Sequence, residues 1–491
     1  MDGSIATRLP GCRLATALGW ALAVALAARI AFGLPTEPVT TGDSAEYLGL
    51  AAHRPPLYGL VLHGWLALRG SMAQLPLAQF LLLTCALLGC AAELARLLRW
   101  PLLGFALVPL VLLHPVGYDM PRWMMSESLF VTWVLAGLSL QLRFARTGGG
   151  GPLLGAALCF ALAAITRSTG MALLPLPVLV ALLDRRRPWR NAALLAAGAG
   201  LAMLLVLLAG MAANNRANHR FEIGSFGGIA LLGKALLLVQ PTDLAMLPAA
   251  PAATLADARQ ARETMARQPD LAARLRAQLQ STQDLRYASF FPAAQEQWPA
   301  WAGASWRERS TLAQGLATRL IAAHPMAYAG LWLNDWLSLI LYPNFWPAWA
   351  STEDAGRDAY PACRIQQNCW AMQRHDVPRV AWLLPILLSV GGLLAGTALL
   401  LRLGGRALYR RAAPLAVLAC GLMLVIHATL LLSAATEAGF ARYATPVHVM
   451  AVVVVLWLFD SLGARLEHNA TGWLRQRRGT GGDTGAWTEA G

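Results

Sequence analysis

Two acidic residues and one arginine lie close together in a stretch that follows a hydrophobic run. Asp43 and Glu46 are three residues apart, and Arg54 follows eight residues later, directly before Pro55-Pro56. If the stretch begins a helix, residues three apart share one face, so both carboxylates can face one cavity. The prolines fix the backbone, and a guanidinium binds two phosphate oxygens at once. The pattern therefore predicts a base beside a phosphate-binding cation.

The same stretch also has a purely structural interpretation. Asp43 can cap a helix that begins at Ser44, while Glu46 stays solvated. These residues alone leave both interpretations open. In the catalytic interpretation Glu46 is a second candidate acid, and Tyr47 and Tyr58 would line the substrate cavity.

Other charged and aromatic residues recur at the ends of later hydrophobic runs. An acid at the mouth of a membrane span is costly unless it faces a polar cavity or a partner. Glu127 is therefore predicted either to pair structurally with Arg122 or Arg167, which is the commoner case, or to belong to the site. These candidate site residues are Asp119, Arg122, Glu127, Arg167, Arg442 and Tyr443.

The composition indicates a membrane protein. Hydrophobic residues make up 57% of the 491 residues and charged residues only 13%. The net charge of +14 comes almost wholly from arginines beside apolar runs. Arginines in these positions are a signal of membrane topology, and no nucleic-acid partner is expected. The sequence contains no HExxH, Cys/His quartet or P-loop, so zinc proteases and ATPases lack support. No cofactor is expected, although a divalent metal ion is left open.

Alternating apolar runs and arginine clusters predict an all-α, polytopic fold of about 10 to 12 transmembrane helices. Residues 1–213 form a seven-span module with a cytoplasmic N-terminus, and Arg185–Arg187 is the strongest cytoplasmic mark. Residues 379–461 form a three-span module. Residues 462–491 form a basic cytoplasmic tail that is predicted to be disordered.

The intervening residues 214–378 are predicted to form a periplasmic region of helices and loops. Its two apolar stretches, Ile223–Val239 and Ala327–Tyr342, are marginal for a span. Parity requires zero or two crossings there, and we favour zero, with both stretches lying in or dipping into the outer interface. The tryptophans of the second stretch and beyond suit such a position. Alternating apolar and polar residues predict amphipathic helices over 255–280 and 306–323.

Cys363 and Cys369 are the only cysteine pair in this predicted periplasmic region. An oxidising compartment favours a disulfide between them. Two unpaired thiols are the alternative, because spacing alone does not prove connectivity.

At these positions the chain resembles the GT-C glycosyltransferases, in particular the branch that holds bacterial protein O-mannosyltransferases and the lipid A aminoarabinose transferase. The matching motifs are an Asp-x-x-x-Tyr loop at Asp43–Tyr47, Arg54 before Pro-Pro-Leu, the acid Glu127, a Thr-Arg-x-x-Gly turn over 166–170 and Ala441-Arg442-Tyr443. The resemblance implies that Asp43 is the catalytic acid of the first periplasmic loop and that Arg54 contacts the donor phosphate. Some relatives have Asp-Glu in place of Asp43-Ser44 and lysine in place of Arg54, so the role of Glu46 stays open.

The resemblance implies an inverting glycosyltransferase of the bacterial inner membrane that works at the periplasmic face. Its donor would be a polyprenyl-phosphate-linked sugar, and its acceptor a hydroxyl or amine of a glycan, lipid or protein. A phosphate leaving group needs no general acid, so one base suffices, with Arg54, Arg167 and Arg442 around the phosphate. A lipid or sugar transporter and a non-catalytic membrane scaffold remain alternatives. The sequence leaves the sugar, the acceptor, the polyprenol length and the oligomeric state open.

Overall fold

The computed structural model of the protein describes residues 10–40, 42–114, 120–224, 227–249, 251–341, 379–408, 413–436 and 441–479. Within these ranges the chain is helical and no strand forms, apart from an isolated bridge between Val39 and Trp123. The predicted all-α class is confirmed. The helices are α1 (Pro10–Ala31), α2 (Gly42–Leu48), α3 (Pro56–Ala67), α4 (Leu75–Leu97), α5 (Pro101–Leu112), α6 (Glu127–Thr147), α7 (Gly150–Thr166), α8 (Pro175–Leu182), α9 (Trp189–Asn218), α10 (Gly227–Ala235), α11 (Pro251–Ala266), α12 (Leu271–Asp284), α13 (Phe291–Gln297), α14 (Pro299–Ala302), α15 (Trp306–Ala323), α16 (Pro325–Leu341), α17 (Arg379–Leu408), α18 (Pro414–Thr436) and α19 (Ala441–Gly479).

Seven of the described helices are long and apolar enough to cross a membrane, namely α1, α4, α6, α9 and α17 to α19. The chain is therefore a multi-pass membrane protein. The other three of the ten predicted spans are shorter apolar helices, at Pro101–Leu112, Gly150–Thr166 and Ser168–Leu182. Proline explains two of them. α5 ends before Pro115, and the third segment is interrupted at Pro175 and Pro177, because proline restricts the residue before it and has no N–H to donate.

The membrane helices form one bundle around α6. This helix packs against α4 and α7, and it also contacts α18 from the C-terminal part of the chain. Leu83, Leu135, Leu138 and Phe160 are fully buried in the shared core. The first and last predicted modules therefore share a single hydrophobic core.

One end of this bundle is rich in arginine. Glu93 near the end of α4 pairs with Arg96 at 2.5 Å and with Arg146 of α6 at 3.0 Å. Asp460 of α19 accepts hydrogen bonds from the backbone N–H groups of Arg99, at 2.9 Å, and Trp100, at 3.2 Å, and so caps the start of α5. These contacts lie at the ends that the arginine clusters predict to be cytoplasmic.

The region between α9 and α17 builds a second core. Helices α10 to α15 bury Leu232, Phe290, Trp301 and Leu316 together. The amphipathic helices predicted over 255–280 and 306–323 are confirmed as α11, α12 and α15. The apolar faces of these helices therefore pack on one another and give the region a core of its own.

A buried ion pair joins this region to the bundle. Lys234, the only lysine of the chain, lies 2.6 Å from Asp335 of α16, and Gln278 of α12 donates to the same carboxylate at 2.9 Å. Lys234 also donates to the carbonyl of Ala434 in α18. Because removal of one partner would leave an uncompensated buried charge, this pair fixes the region against the bundle.

Helix α16 runs alongside α18 in the opposite direction. Tyr328 donates to the carbonyl of Ala435, and one turn later Trp332 donates to the carbonyl of Leu431 at 3.1 Å. The described part of the second marginal stretch therefore follows a bundle helix. This orientation favours a segment that dips inward over one that lies flat in the interface. Whether either marginal stretch crosses the membrane stays a prediction.

Candidate active site

Asp43, Glu46 and Arg54 form one ionic cluster at the end of the bundle opposite the arginine-rich end. Arg54 donates from Nη2 to Asp43 Oδ1 at 2.7 Å and from Nε to Glu46 Oε2 at 2.6 Å. Helix α2 begins at Gly42, so both acids lie on its first two turns and face the same guanidinium. The side chain of Arg54 is 19% exposed, so the cluster is only partly screened by solvent.

The turn between α2 and α3 presents Arg54. Its backbone N–H donates to the carbonyl of Ala51 at 3.0 Å, and Pro56 begins α3, where a missing N–H costs nothing. Leu50 adopts a left-handed backbone with φ of 48°, which is costly for a residue with a Cβ. Asn218 at the end of α9 stabilises this turn by donating to the carbonyl of Leu50 at 2.8 Å.

A narrow cleft lies beside the cluster, between the turn and the end of α9. Glu46, Tyr47, Arg54, Asn214 and Asn218 line it. Apolar residues of the turn, α3 and α9 complete the lining, and the space of about 10 Å³ is roughly that of one water molecule.

A second cluster lies at the start of α6. Glu127 is buried and forms an ion pair with Arg167 at 2.7 Å. Arg167 also donates to Ser126 Oγ at 3.0 Å, and its guanidinium lies 5.5 Å from the centre of the Tyr443 ring. Of the two partners predicted for Glu127, the structure therefore shows Arg167. Arg122 donates to the carbonyl of Gly33 at 3.2 Å.

Tyr47 connects the two clusters. Its hydroxyl lies 2.9 Å from Ser126 Oγ, the same atom that Arg167 contacts. Its ring centre lies 5.7 Å from the guanidinium of Arg54 and 4.9 Å from the ring of Tyr58. The two predicted aromatic residues therefore form the buried floor between the ionic pairs.

The turn after α7 places Arg167. A Cβ at Gly170 would lie 2.7 Å from Cα of Ala164, so only glycine allows this backbone to fold back onto α7. The N–H of Gly170 donates to the carbonyl of Arg167 at 2.9 Å, which closes the turn. Steric crowding therefore explains why the last position of the Thr-Arg-x-x-Gly motif is glycine.

The charges around Glu46 favour its ionised form. Burial raises the pKa of Glu46, but its hydrogen bond to His53 and the charge of Arg54 together lower the pKa below the usual value of 4.5. His53 Nε2 lies 3.1 Å from Glu46 Oε2. Burial raises the pKa of Tyr47, so this phenol keeps its proton.

Two elements of the intervening region reach the site. The ring of Trp306 at the start of α15 lies 4.7 Å from the ring of His53. Leu279 of α12 packs against Tyr443, which covers Arg167. Each ionic cluster is therefore covered by one helix of the intervening region.

Several predicted site residues fall outside the described ranges. These are Asp119, the side chain of Arg442, and both Cys363 and Cys369. Their predicted roles as second acid, phosphate ligand and disulfide stay predictions. Among the described residues, Asp43, Arg54 and Arg167 do lie around one end of the bundle, linked by Tyr47 and Ser126.

Other residues at the site were missed from the sequence. His53 and Trp306 flank Glu46, Ser126 bridges Tyr47 and Arg167, and Asn214 and Asn218 hold the turn before Arg54. The Asn214-Asn215 pair at the end of an apolar run was the one available signal, because amides are unusual there.

The described part of the chain holds no group of three or more His, Cys, Asp or Glu side chains placed to bind a metal ion. The site as described consists of ion pairs between carboxylates and guanidinium groups. The cofactor requirement stays a prediction.

No protein-family model matches the sequence, and no curated protein matches it either. Among solved structures, the chain is similar to the crystal structure of ArnT from Cupriavidus metallidurans bound to undecaprenyl phosphate. The two chains share 14% identical residues and superpose with a TM-score of 0.34. The match covers 88% of this chain and 77% of ArnT, and both its sequence identity and its TM-score are low.

Proposed function

We propose that the protein is an inverting GT-C-type glycosyltransferase that transfers a sugar from a polyprenyl-phosphate donor to a hydroxyl or amine. The observation that carries the proposal is that one guanidinium, that of Arg54, contacts both Asp43 and Glu46 at a membrane-bundle end. A base and a phosphate-binding cation are thereby adjacent, as transfer from a lipid phosphate requires. The order of the motifs along the chain adds to this support.

The cluster suggests how donor binding and base activation are coupled. The two carboxylates occupy the Nε–H and an Nη2–H of one guanidinium, so a phosphate that takes either of these donors displaces one carboxylate. Displacement of Asp43 would free its carboxylate beside the bound donor. The same binding event would then occupy the cation and release the base.

The transfer step itself conserves atoms and charge. The acceptor oxygen or nitrogen forms a bond to the anomeric carbon while the bond from that carbon to the phosphate oxygen breaks. Asp43 takes the proton of the acceptor, and the electron pair of the broken bond leaves with the lipid phosphate. Arg54 stabilises the charge that develops on that phosphate. Direct displacement inverts the anomeric configuration.

The test is a transfer assay with a mass-tagged polyprenyl-phosphate sugar and full-length protein in membranes. We expect Asp43→Asn to lower transfer by about 10²- to 10⁴-fold, the usual contribution of a general base. Glu37→Gln is the matched control, because Glu37 is an exposed acid in the same loop. Near-normal turnover by Asp43→Asn would refute the catalytic assignment.

The same assay separates the transferase from a transporter. A transferase separates the tagged sugar from the lipid, whereas a transporter moves the intact donor across the bilayer. Sealed vesicles that translocate intact donor without cleaving it would favour the transporter, and an absence of both activities would favour the scaffold.

A further inference from the structure

A cavity of about 550 Å³ lies between α11 and α12, and no residue of the ionic clusters lines it. Its volume falls within the roughly 300 to 1,000 Å³ typical of small-molecule sites. Exposed residues of α11, among them Asp257, Gln260 and Thr264, form one wall, so the cavity is open to solvent. The proposed transfer chemistry makes no use of it.

The walls of this cavity are rich in carboxamides and hydroxyls. Gln260, Gln268 and Gln280 line it together with Ser281 and Ser289. A carboxamide places a donor and an acceptor side by side, and a hydroxyl serves as both. Sugar hydroxyl groups are likewise donors and acceptors at once. Walls of this kind can therefore form hydrogen bonds with a sugar ring that carries several hydroxyls.

The charges of the lining disfavour an anionic ligand. Asp257 and Asp284 are two carboxylates against the single guanidinium of Arg276. A phosphate, sulfate or acidic lipid headgroup would therefore meet net repulsion. Among the described lining residues Leu285 is the only large apolar side chain, so the cavity also lacks the apolar anchors that a peptide or lipid tail would need.

The floor of the cavity is formed by a wide helical turn. Residues Leu285–Phe290 form a π-helical segment between α12 and α13. Pro292, in the first turn of α13, cannot donate to the carbonyl of Ala288 four residues earlier, and its ring would crowd that carbonyl in an α-helix. The wider turn relieves this conflict and brings Ala288 and Ser289 to the cavity wall, as π-helical turns at functional sites often do.

Helix α12 connects this cavity to the candidate active site. Gln280 and Arg276 face the cavity, while the neighbouring Leu279 packs against Tyr443 above Arg167. The two sites therefore share one helix as a common wall. A ligand held in the cavity would therefore contact the helix that packs on Tyr443.

We propose that this cavity binds an uncharged saccharide unit carried by the acceptor. That the saccharide belongs to an acceptor rests on the proposed function. The preference for an uncharged saccharide rests on the lining alone and can be measured without transfer.

The test measures binding of full-length protein in nanodiscs to an array of neutral oligosaccharides, with phosphorylated and sulfated analogues and peptides on the same array. The wild type should retain neutral saccharides. Ala288→Trp fills the cavity from an exposed position, and we expect at least a tenfold loss of saccharide binding. Ala266→Trp is the matched control, because Ala266 is exposed on α11 outside the cavity lining.

A second variant tests the chemistry of the wall without filling the cavity. Gln280→Leu keeps much of the side-chain volume but removes the donor and the acceptor, so binding should weaken several-fold. Equal binding by wild type and Ala288→Trp, retention of peptides or anionic glycans instead, or no retained saccharide would overturn the proposal. Failure of the transferase proposal would leave saccharide binding intact, because no donor is present in the binding assay.

Discussion

Arg54 has two functions that compete for the same guanidinium. In the structure it forms ion pairs with both Asp43 and Glu46, and in the proposed reaction it binds the donor phosphate. Glu46 contacts His53, at 3.1 Å, as well as Arg54. Glu46 is therefore suited to hold Arg54 and His53 in place, while Asp43 is the base in the proposed reaction.

Substitution of Arg54 should separate charge from bidentate geometry. Arg54→Lys keeps a cation but loses the planar fork, whereas Arg54→Ala also leaves two carboxylates without their shared cation. We expect kcat/KM for the lipid-linked donor to fall moderately for lysine and by about ten- to a hundredfold for alanine. Arg69→Ala, at the exposed end of the α3 segment, is the control. Equal kcat/KM for arginine and alanine at position 54 would mean that Arg54 has no part in donor binding.

Glu46 should make stability depend on pH. Its pKa is lowered in the folded state below the usual 4.5, so the ionised group stabilises the fold fully above that value. The contribution is lost as pH falls through the lowered pKa. Thermal unfolding should therefore show Glu46→Gln less stable than wild type near neutral pH, with a difference that shrinks below about 4.5.

The control for this measurement is Glu296→Gln, since Glu296 is exposed and its substitution should change stability little. A stability difference for Glu46→Gln that grows on acidification would contradict the assignment of Glu46 as an ionised partner of Arg54.

At the scale of elements, short turns position the charged side chains of the site more directly than the long helices do. The turn from Ala51 to Arg54 is held by Asn218, and the turn from Thr166 to Gly170 is folded back onto α7. The first turn follows the short polar helix α2, and the second follows the apolar helix α7. Small changes there should move a charged side chain without unfolding the bundle.

Gly170→Ala tests the second turn. A Cβ at this position would meet the backbone of Ala164 at 2.7 Å, so the turn must shift and Arg167 with it. We expect a loss of stability of about 1 to 3 kcal/mol, as for other overpacked sites, together with lower kcat. The readouts are thermal unfolding and the transfer assay.

Gly151→Ala provides the matched control near the start of the same α7. A Cβ there meets nothing within 4 Å, and alanine favours a helix by about 0.5 to 1 kcal/mol over glycine. This variant should be as stable as wild type or slightly more so. Equal behaviour of the two glycine variants would show that the turn does not position Arg167.

At the scale of the whole molecule, two ends of the bundle carry different chemistry. At one end, Glu93 and Asp184 form ion pairs with arginines, and Asp460 caps the start of α5. The other end holds the candidate site beneath the region of α10 to α16. By the positive-inside rule the arginine-rich end is predicted to be cytoplasmic, which predicts that the site faces the periplasm.

This sidedness can be tested with a single cysteine. Arg267 is exposed between α11 and α12, so Arg267→Cys in a Cys363→Ser/Cys369→Ser background should react with a membrane-impermeant maleimide in intact spheroplasts. The background protein without the new cysteine is the control. Labelling of the new cysteine only after lysis would place α11 and α12 on the cytoplasmic side.

The sequence by itself determined the features that depend on local patterns. Apolar length and arginine clusters predicted a polytopic helical protein, because each span must satisfy its own backbone in lipid. The spacing of Asp43, Glu46 and Arg54 predicted their shared cluster, since residues within one helical turn and a short proline-bounded loop cannot lie far apart. The sequence also showed Gly170 as the last residue of the Thr-Arg-x-x-Gly motif.

Only the tertiary structure decided which distant residues meet. That Glu127 pairs with Arg167, that Ser126 bridges Arg167 to Tyr47, and that Trp306 packs on His53 depends on how helices separated by many residues pack. Hydrophobic periodicity identifies the buried face of a helix but not the partner helix that covers it. Long-range contacts are chosen by the packing of the whole bundle, so the second half of the site and the cavity between α11 and α12 could not be predicted from the chain alone.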